Sequence, residues 1–362
     1  MSKPRVAVAL SGGVDSAGAA LLLKRDGYEI LGIHMRLADS PRAEDQANHA
    51  ERVCHTLNIP FQVMDLRQEF QRYVVDYFCQ EYQSGRTPNP CIACNQHVKL
   101  GILLDKVLLL DMDYLATGHY ARISQNNNRR YHLLKGIDAS KDQSYFLFTL
   151  TQERLSHILF PLGIYSKDEI QKMTKQADLP VAGKSSQDIC FVSEKNYHAF
   201  LRERVPQMPG DIVDVQGKML GRHQGIAFYT IGQRHGLGLA FGRPLYIWGI
   251  EPEHSRIILG EENELYSQKV IVKNLRWVSG MAPSEPIRAN VKIRYKSKET
   301  AATVLTKGDA AVVLFSQLQW AVTPGQAIVF YRGEEILGGG IIESIKPIIN
   351  AGMEVEVAAA ES

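Results

Sequence analysis

Cysteine is scarce in this chain, with five residues among 362, and the five follow no regular spacing. That excludes a disulfide framework and fits a reducing compartment, where thiols serve chemistry or packing. Long apolar runs are missing too. The best candidate for a membrane span, "VLLLDMDYLA", is broken by Asp111 and Asp113, well short of the roughly 18 residues a span needs. No secretory or Arg-rich leader precedes the first strand pattern, so a cytoplasmic protein is expected. A strong charge of either sign is also lacking. The net charge of +2 neither demands nor excludes nucleic acid, and charge has to be read locally. Low-complexity segments and internal repeats are not found.

What remains is an ordinary globular composition, 45% apolar and 22% charged. At 362 residues the chain exceeds one comfortable core, so two or three domains are expected. The texture suggests three. Residues 1–204 read as an α/β domain with a doubly wound parallel sheet, 205–270 as a small central β-rich domain, and 271–362 as a C-terminal β-barrel.

The chain opens on "RVAVAL", a strand-like run suited to burial on both faces of a parallel sheet. "SGGVDS" (Ser11 to Ser16) follows, then an Ala- and Leu-rich helical stretch ending near Gly27. Strand, glycine turn and helix start together make an anion site, because free amides converge there at the positive end of the helix dipole. Gly12 and Gly13 allow close backbone approach, and Ser11 and Ser16 offer hydroxyls. The usual ATPase loop carries a lysine that this one lacks. Asp15 stands there instead, which suggests a shared magnesium ion.

"SGGVDS" resembles the signature of the ATP pyrophosphatases, which cleave between the α and β phosphates and activate a substrate as its adenylate. The resemblance implies ATP held by Ala9, Leu10, Ser11, Gly12, Gly13, Val14, Asp15 and Ser16, an adenine covered by Met35, and a contact at Gly118. Gly118 and Met35 both fall at carboxyl ends of expected strands, where doubly wound sheets bind ligands.

The cysteines divide. Cys54 and Cys79 lie on apolar helical faces and read as core thiols. Cys91 and Cys94, in "TPNPCIACNQHVK", follow a Pro-Asn-Pro corner, and Cys190 follows a polar run in "KSSQDICFV". The pair alone admits half of a structural zinc site, a redox dithiol, part of an iron–sulfur site, or a sulfur-handling centre. Structural zinc needs four ligands, and only His97 and Cys190 could complete the pair.

"SGGVDS", "GRTPNPCIACN", "TGHYAR", "KDQSYFL", "DICF", "GQRHGLG" and "TPGQ" occur in an order that resembles the tRNA-specific 2-thiouridylases over nearly the whole chain. Those enzymes exchange the O2 of the wobble uridine for sulfur. The resemblance implies catalysis by Asp15, Cys94 and Cys190, with Cys94 acting at the base and Cys190 carrying a persulfide. It implies a target-base segment at Asn89, Pro90 and Cys91, and tRNA contacts at His119, Lys141, Asp142, Gln143, Arg294, Tyr295 and Gln326. Implied cofactors are ATP and magnesium. Implied partners are tRNA, namely those for Lys, Glu and Gln, and a cysteine desulfurase or sulfur-relay protein. Cys91 departs from the aspartate many members carry, and resembles members in which Cys91, Cys94 and Cys190 would hold a [4Fe–4S] cluster.

Two further stretches carry expectations. "GQRHGLG" reads either as a tight β connection or as RNA contact by Arg234 and His235. In "RANVKIRYKSK", strand periodicity would put Lys292, Arg294, Lys296 and Lys298 on one face, a phosphate-binding stripe. The rivals to a thiouridylase are an amidating ATP pyrophosphatase, for which no glutaminase-like segment is evident, and a nucleotide-dependent RNA-binding regulator without sulfur chemistry.

Overall fold

The computed structural model describes residues 3–182, 189–192, 197–238 and 242–345. The frayed end expected over 354–362 lies outside them. The chain begins with a five-stranded, wholly parallel sheet ordered β3-β2-β1-β4-β7. Its strands are β1 (Arg5–Ala9), β2 (Glu29–Arg36), β3 (Phe61–Asp65), β4 (Tyr114–Ala116) and β7 (Ile158–Leu159). Val6, Ala7 and Val8 of β1 are fully buried, as expected for a strand covered on both faces. Helix α1 (Val14–Arg25) covers one face, and the helix Lys167–Gln176 sets Ile170 into the same apolar cluster as Ala17, Ala20 and Leu21.

The other face packs on a long helical segment, Pro90–Leu108, whose middle, Cys94–Ile102, is π-helical. Leu100, Leu103 and Leu104 are essentially inaccessible there. Each such side chain stabilises the packing by about 2–5 kcal/mol relative to alanine, so the helix has little freedom to shift. The same core includes Ala327, Val329 and Tyr331, and so wedges the helix between sheet and barrel.

A four-stranded sheet follows, ordered β10-β11-β8-β9, from β8 (Gly210–Asp214), β9 (Met219–His223), β10 (Tyr246–Glu251) and β11 (Arg256–Gly260). The last unit is a closed six-stranded barrel of β12 (Tyr266–Trp277), β13 (Ile287–Lys292), β14 (Thr300–Lys307), β15 (Ala310–Trp320), β16 (Ala327–Arg332) and β17 (Glu335–Ile345), sealed by β12 against β17. A hairpin from the first unit, β5 (Ala121–Gln125) and β6 (Tyr131–Lys135), joins this barrel through Ile336 opposite Leu133. The α/β sheet, the central β unit and the C-terminal barrel are those expected. The hairpin's change of partner was not.

The basic stripe is a correction. β13 ends at Lys292, and Ser297 closes a turn by donating from its amide to the Arg294 carbonyl at 3.0 Å and from its hydroxyl at 2.8 Å. The chain therefore leaves strand geometry before the alternation is complete, and the four cations do not share a strand face. Lys292 lies over the Tyr331 ring and Arg294 over the Trp320 ring, 5.7 and 5.9 Å from the centroids. No helix among the described residues is long and apolar enough to cross a membrane.

Candidate active site

Strand order reverses between β1 and β4, and the crevice beyond their carboxyl ends is where an open parallel sheet admits a ligand. The loop Ser11–Ser16 sits there. Gly13 caps α1 without a side-chain bond, leaving the first amides to a bound anion. Ser16 Oγ donates to the Gly13 carbonyl and accepts from the Ser11 amide, each at 3.1 Å, which closes the loop on itself. Gly12 has φ +77°, and a Cβ there would stand 2.7 Å from the Gln46 carbonyl oxygen, so only glycine fits. A Cβ on Gly118 would lie 2.8 Å from the Ser16 amide nitrogen. The two segments expected at the nucleotide are thus stacked backbone to backbone. Ala9 and Leu10 are buried beneath them, and Met35 lies half-buried at the end of the neighbouring β2.

The loop has no lysine of its own, yet a lysine reaches it. Lys167 Nζ lies 2.6 Å from Asp15 Oδ1, and the Tyr120 hydroxyl donates to the same oxygen at 2.8 Å. Lys167 opens a helix fixed by a Ser166–Glu169 capping box, and its amide donates to Asp138 at 3.0 Å. Nothing near "SGGVDS" signals it. The hard oxygen donors of Ser11, Asp15 and Ser16 suit magnesium beside phosphate, provided Lys167 gives up its hold on Asp15.

The second cluster starts at Asn89, whose Oδ1 accepts the Cys91 amide at 3.1 Å, with Pro90 in the first helical position. Asn89, expected at the target base, is thus also a helix cap. Cys94 is 5% exposed, Cys91 is half-buried and Cys190 is exposed. Burial pushes the Cys94 thiol up to about 12, against the pull of nearby Lys99. Cys91 is raised for the same reason. Burial acts against the charge on Lys99, but Cys94, Cys190 and Cys91 together outweigh it and raise its pKa. The charge of Lys99, half-buried on the cysteine helix, is therefore felt together with all three thiols. His119 is held down to about 3 by burial and by Lys99, and its Nδ1 pairs with the Thr117 hydroxyl at 2.7 Å, so the ring is neutral near pH 7.

Among the described residues, no group of three His, Cys, Asp or Glu side chains is gathered closely enough to hold a metal ion. Cys91, Cys94 and Cys190, as placed, are not among such groups. His97 turns away to stack on Tyr73, with ring centroids 5.1 Å apart, and does not complete a zinc site. Cys54 is buried as expected, whereas Cys79 is only half-buried. Timed alkylation read by peptide mass spectrometry should label Cys190 first and Cys94 and Cys54 last. Labelling of Cys94 should climb about tenfold per pH unit from about pH 7 to about pH 9, because the thiolate is the reactive form. A plateau in that range would mean a much lower thiol pKa than burial dictates.

The residues expected at tRNA fall into two groups. Lys141 is exposed. Asp142 is buried and accepts from the Gly136 amide and from the Ser144 amide and hydroxyl at 2.9–3.1 Å. Gln143 exchanges two hydrogen bonds with the Tyr120 backbone, at 2.9 and 3.1 Å. Gln326 donates to the Thr87 carbonyl at 2.9 Å and ties the barrel to the chain leading into Asn89. The Tyr295 ring lies 4.4 Å from that of Phe146, and its hydroxyl is raised by burial and by the charges of Asp142 and Cys91. The barrel's Arg294–Tyr295 corner is thereby brought to the cysteine helix.

Known protein families match three successive stretches of the chain. Residues 4–194 match the family described as the tRNA methyl transferase HUP domain, 198–261 its PRC-barrel domain, and 267–342 the aminomethyltransferase β-barrel domain. The chain is 45% identical to the tRNA-specific 2-thiouridylase MnmA of Carboxydothermus hydrogenoformans, over 95% of this chain and 98% of the relative. It is likewise 45% identical, with the same coverage, to the MnmA of Geobacter metallireducens. The solved U34-tRNA thiolase NcsA of Methanococcus maripaludis, with its [4Fe–4S] cluster, is 19% identical at a TM-score of 0.37, over 55% of this chain and 63% of that one. That likeness is too slight to bear on mechanism.

Proposed function

The chain belongs to the tRNA-specific 2-thiouridylase family, and on that premise we propose that it activates the wobble uridine O2 with ATP and replaces that oxygen by sulfur. It is a tRNA sulfurtransferase. The observation that carries the finer reading is the adjacency of Gly118 and His119. Gly118 lies against the phosphate loop at Asp15 and Ser16, and His119 feels the charge of Lys99 among the cysteines. Activation and sulfur delivery therefore meet across one peptide bond.

Ala9 to Ser16 hold the phosphates, Met35 covers the adenine, and Lys167 supplies the positive charge that the loop lacks. Magnesium, when bound near Asp15, offsets phosphate charge during departure of pyrophosphate. The uridine O2 attacks the α phosphorus and leaves as part of AMP. Cys190 carries a persulfide, whose terminal sulfur adds to C2 as the C2–O bond breaks. The Cys94 thiolate then attacks the Cys190 sulfur, the S–S bond to the base breaks, and 2-thiouridine is released. A Cys94–Cys190 disulfide remains, which an external thiol reductant reopens. This route uses Cys94 and Cys190 alone; were a [4Fe–4S] cluster present, Cys91, Cys94 and Cys190 would be its ligands.

Asn89, Pro90 and Cys91 line the target base, and His119, Lys141, Asp142, Gln143, Arg294, Tyr295 and Gln326 form the tRNA-facing set. Within that set, Lys141, Arg294 and Tyr295 are placed for direct contact, and Asp142, Gln143 and Gln326 for holding those surfaces together. The substrates are the tRNAs for Lys, Glu and Gln, and sulfur comes from a desulfurase or a relay protein. The catalytic unit spans 1–204, the central unit 205–270 and the tRNA-binding barrel 271–362. Nucleoside mass analysis after incubating tRNA with enzyme, ATP and a persulfide donor tests the whole reading. Release of pyrophosphate with no 2-thiouridine would refute it.

A further inference from the structure

On the face of the cysteine helix turned from the thiols lies a cavity of about 300 Å³, lined by residues of five separate segments. Arg72 and Tyr73 come from the helical segment before the Pro-Asn-Pro corner, His97 from the cysteine helix, and Arg276 from β12. Asn89, the cap of the cysteine helix, also lines it, and no acidic side chain does. Tyr73 and His97 form a near-parallel stack, 17° between planes, and the Arg72 guanidinium lies 5.3 Å from the Tyr73 centroid. The charge of Arg276 reaches His97, whose pKa is lowered by burial and by that guanidinium. Neither arginine has a carboxylate partner among the described residues, and both are exposed.

Two unpaired guanidinium groups in an acid-free cavity attract an anion, and a flat aromatic pair at the same place offers a stacking platform. One ligand chemistry combines the two, an unpaired nucleotide with its phosphate. Resting on the thiouridylase reading, we infer that this cavity holds a nucleotide of the tRNA anticodon loop adjacent to the target uridine. Its phosphate lies between Arg72 and Arg276, and its base lies against the Tyr73–His97 stack. The cavity shares Asn89 with the target-base segment, so the neighbouring nucleotide would be captured on one face of the helix while the uridine meets the thiols on the other. Gripping the flanking nucleotide is one way to hold the uridine out of the loop's own stack.

The test uses full-length protein and a synthetic, unmodified anticodon stem-loop, titrated at several salt concentrations. The Arg72→Ala/Arg276→Ala variant should bind about tenfold more weakly, and its log–log salt slope should be shallower by about 0.7 for each single-strand phosphate no longer neutralised. Tyr73→Ala should weaken binding by about fivefold or more with an unchanged slope, since stacking releases no counterions. Tyr73→Phe should restore it, which separates stacking from loss of fold. Wild-type affinity and slope in both the double arginine variant and Tyr73→Ala would overturn the inference. So would normal RNA binding coupled to slowed sulfur uptake from a donor protein, which would assign the cavity to that partner. If the wild-type enzyme thiolated no tRNA at all, the functional reading itself would have failed, and that result is distinct from either.

Discussion

Replacing Asp15 with asparagine should cut tRNA-dependent pyrophosphate release by about a hundredfold or more, with the fold retained. Removing a single group that stabilises developing charge in an active site typically costs about 10²–10³ in rate. Here the carboxylate sits in the phosphate loop and is held by Lys167 and Tyr120. Asparagine keeps the shape and loses the charge that a metal ion would share. Lys167→Ala should reach a loss of similar size by a different route. It leaves the Asp15 carboxylate uncompensated beside incoming phosphates, so the KM for ATP should rise along with the fall in kcat, and added magnesium should recover part of the loss. Pyrophosphate release measured across ATP and magnesium concentrations decides both. Wild-type rates in Asp15→Asn would remove the loop from the chemistry.

The second large effect concerns sulfur. Cys94→Ala and Cys190→Ala should each abolish 2-thiouridine formation, while adenylation, read as pyrophosphate release, persists. Cys91→Ala should keep a substantial fraction of activity, because in the persulfide route Cys91 neither carries sulfur nor accepts the disulfide. Lys99→Met should be nearly as damaging as losing Cys94. The Cys94 thiol is already raised to about 12 by burial, and Lys99 is the cation that opposes that rise. Without it the thiolate becomes scarcer at every working pH, so residual activity should be lower throughout while still rising by about tenfold per pH unit, as in the wild type. A Cys91→Ala protein that loses activity together with an iron–sulfur absorbance would overturn the thiol route in favour of a cluster.

The parts of this site legible in the sequence are those built from neighbours in the chain. A strand, a glycine turn and a helix start need only consecutive residues to make an anion site, so the loop around Asp15 announces itself. Lys167 is 152 residues away from Asp15, and locally it is one more lysine at a capped helix start. Lys99 was equally silent, since a basic residue on an amphipathic helix reads as a solvated face until the fold brings Cys190 towards Cys91 and Cys94 beside it. The supposed strand of four cations failed because period-two alternation says nothing of where a strand stops, and Ser297 stopped it with a turn. The hairpin that joins the barrel from the first unit could not be read either, because edge pairing depends on which sheet arrives beside it.

Tyr120 has a consequence for the economy of the cell. Its backbone grips Gln143, beside the exposed Lys141, and its hydroxyl grips Asp15 in the phosphate loop. An adenylating enzyme exposed to water between substrates risks idle turnover, in which ATP is hydrolysed with nothing to show for it. If the Lys141–Gln143 segment meets RNA as proposed, Tyr120 would couple the arrival of RNA to the loop, and the unladen enzyme would stay quiet. Tyr120→Phe keeps the backbone grip and cuts the link to Asp15, so it should raise the RNA-independent release of AMP relative to the RNA-dependent rate. An unchanged ratio would mean that idling is restrained elsewhere.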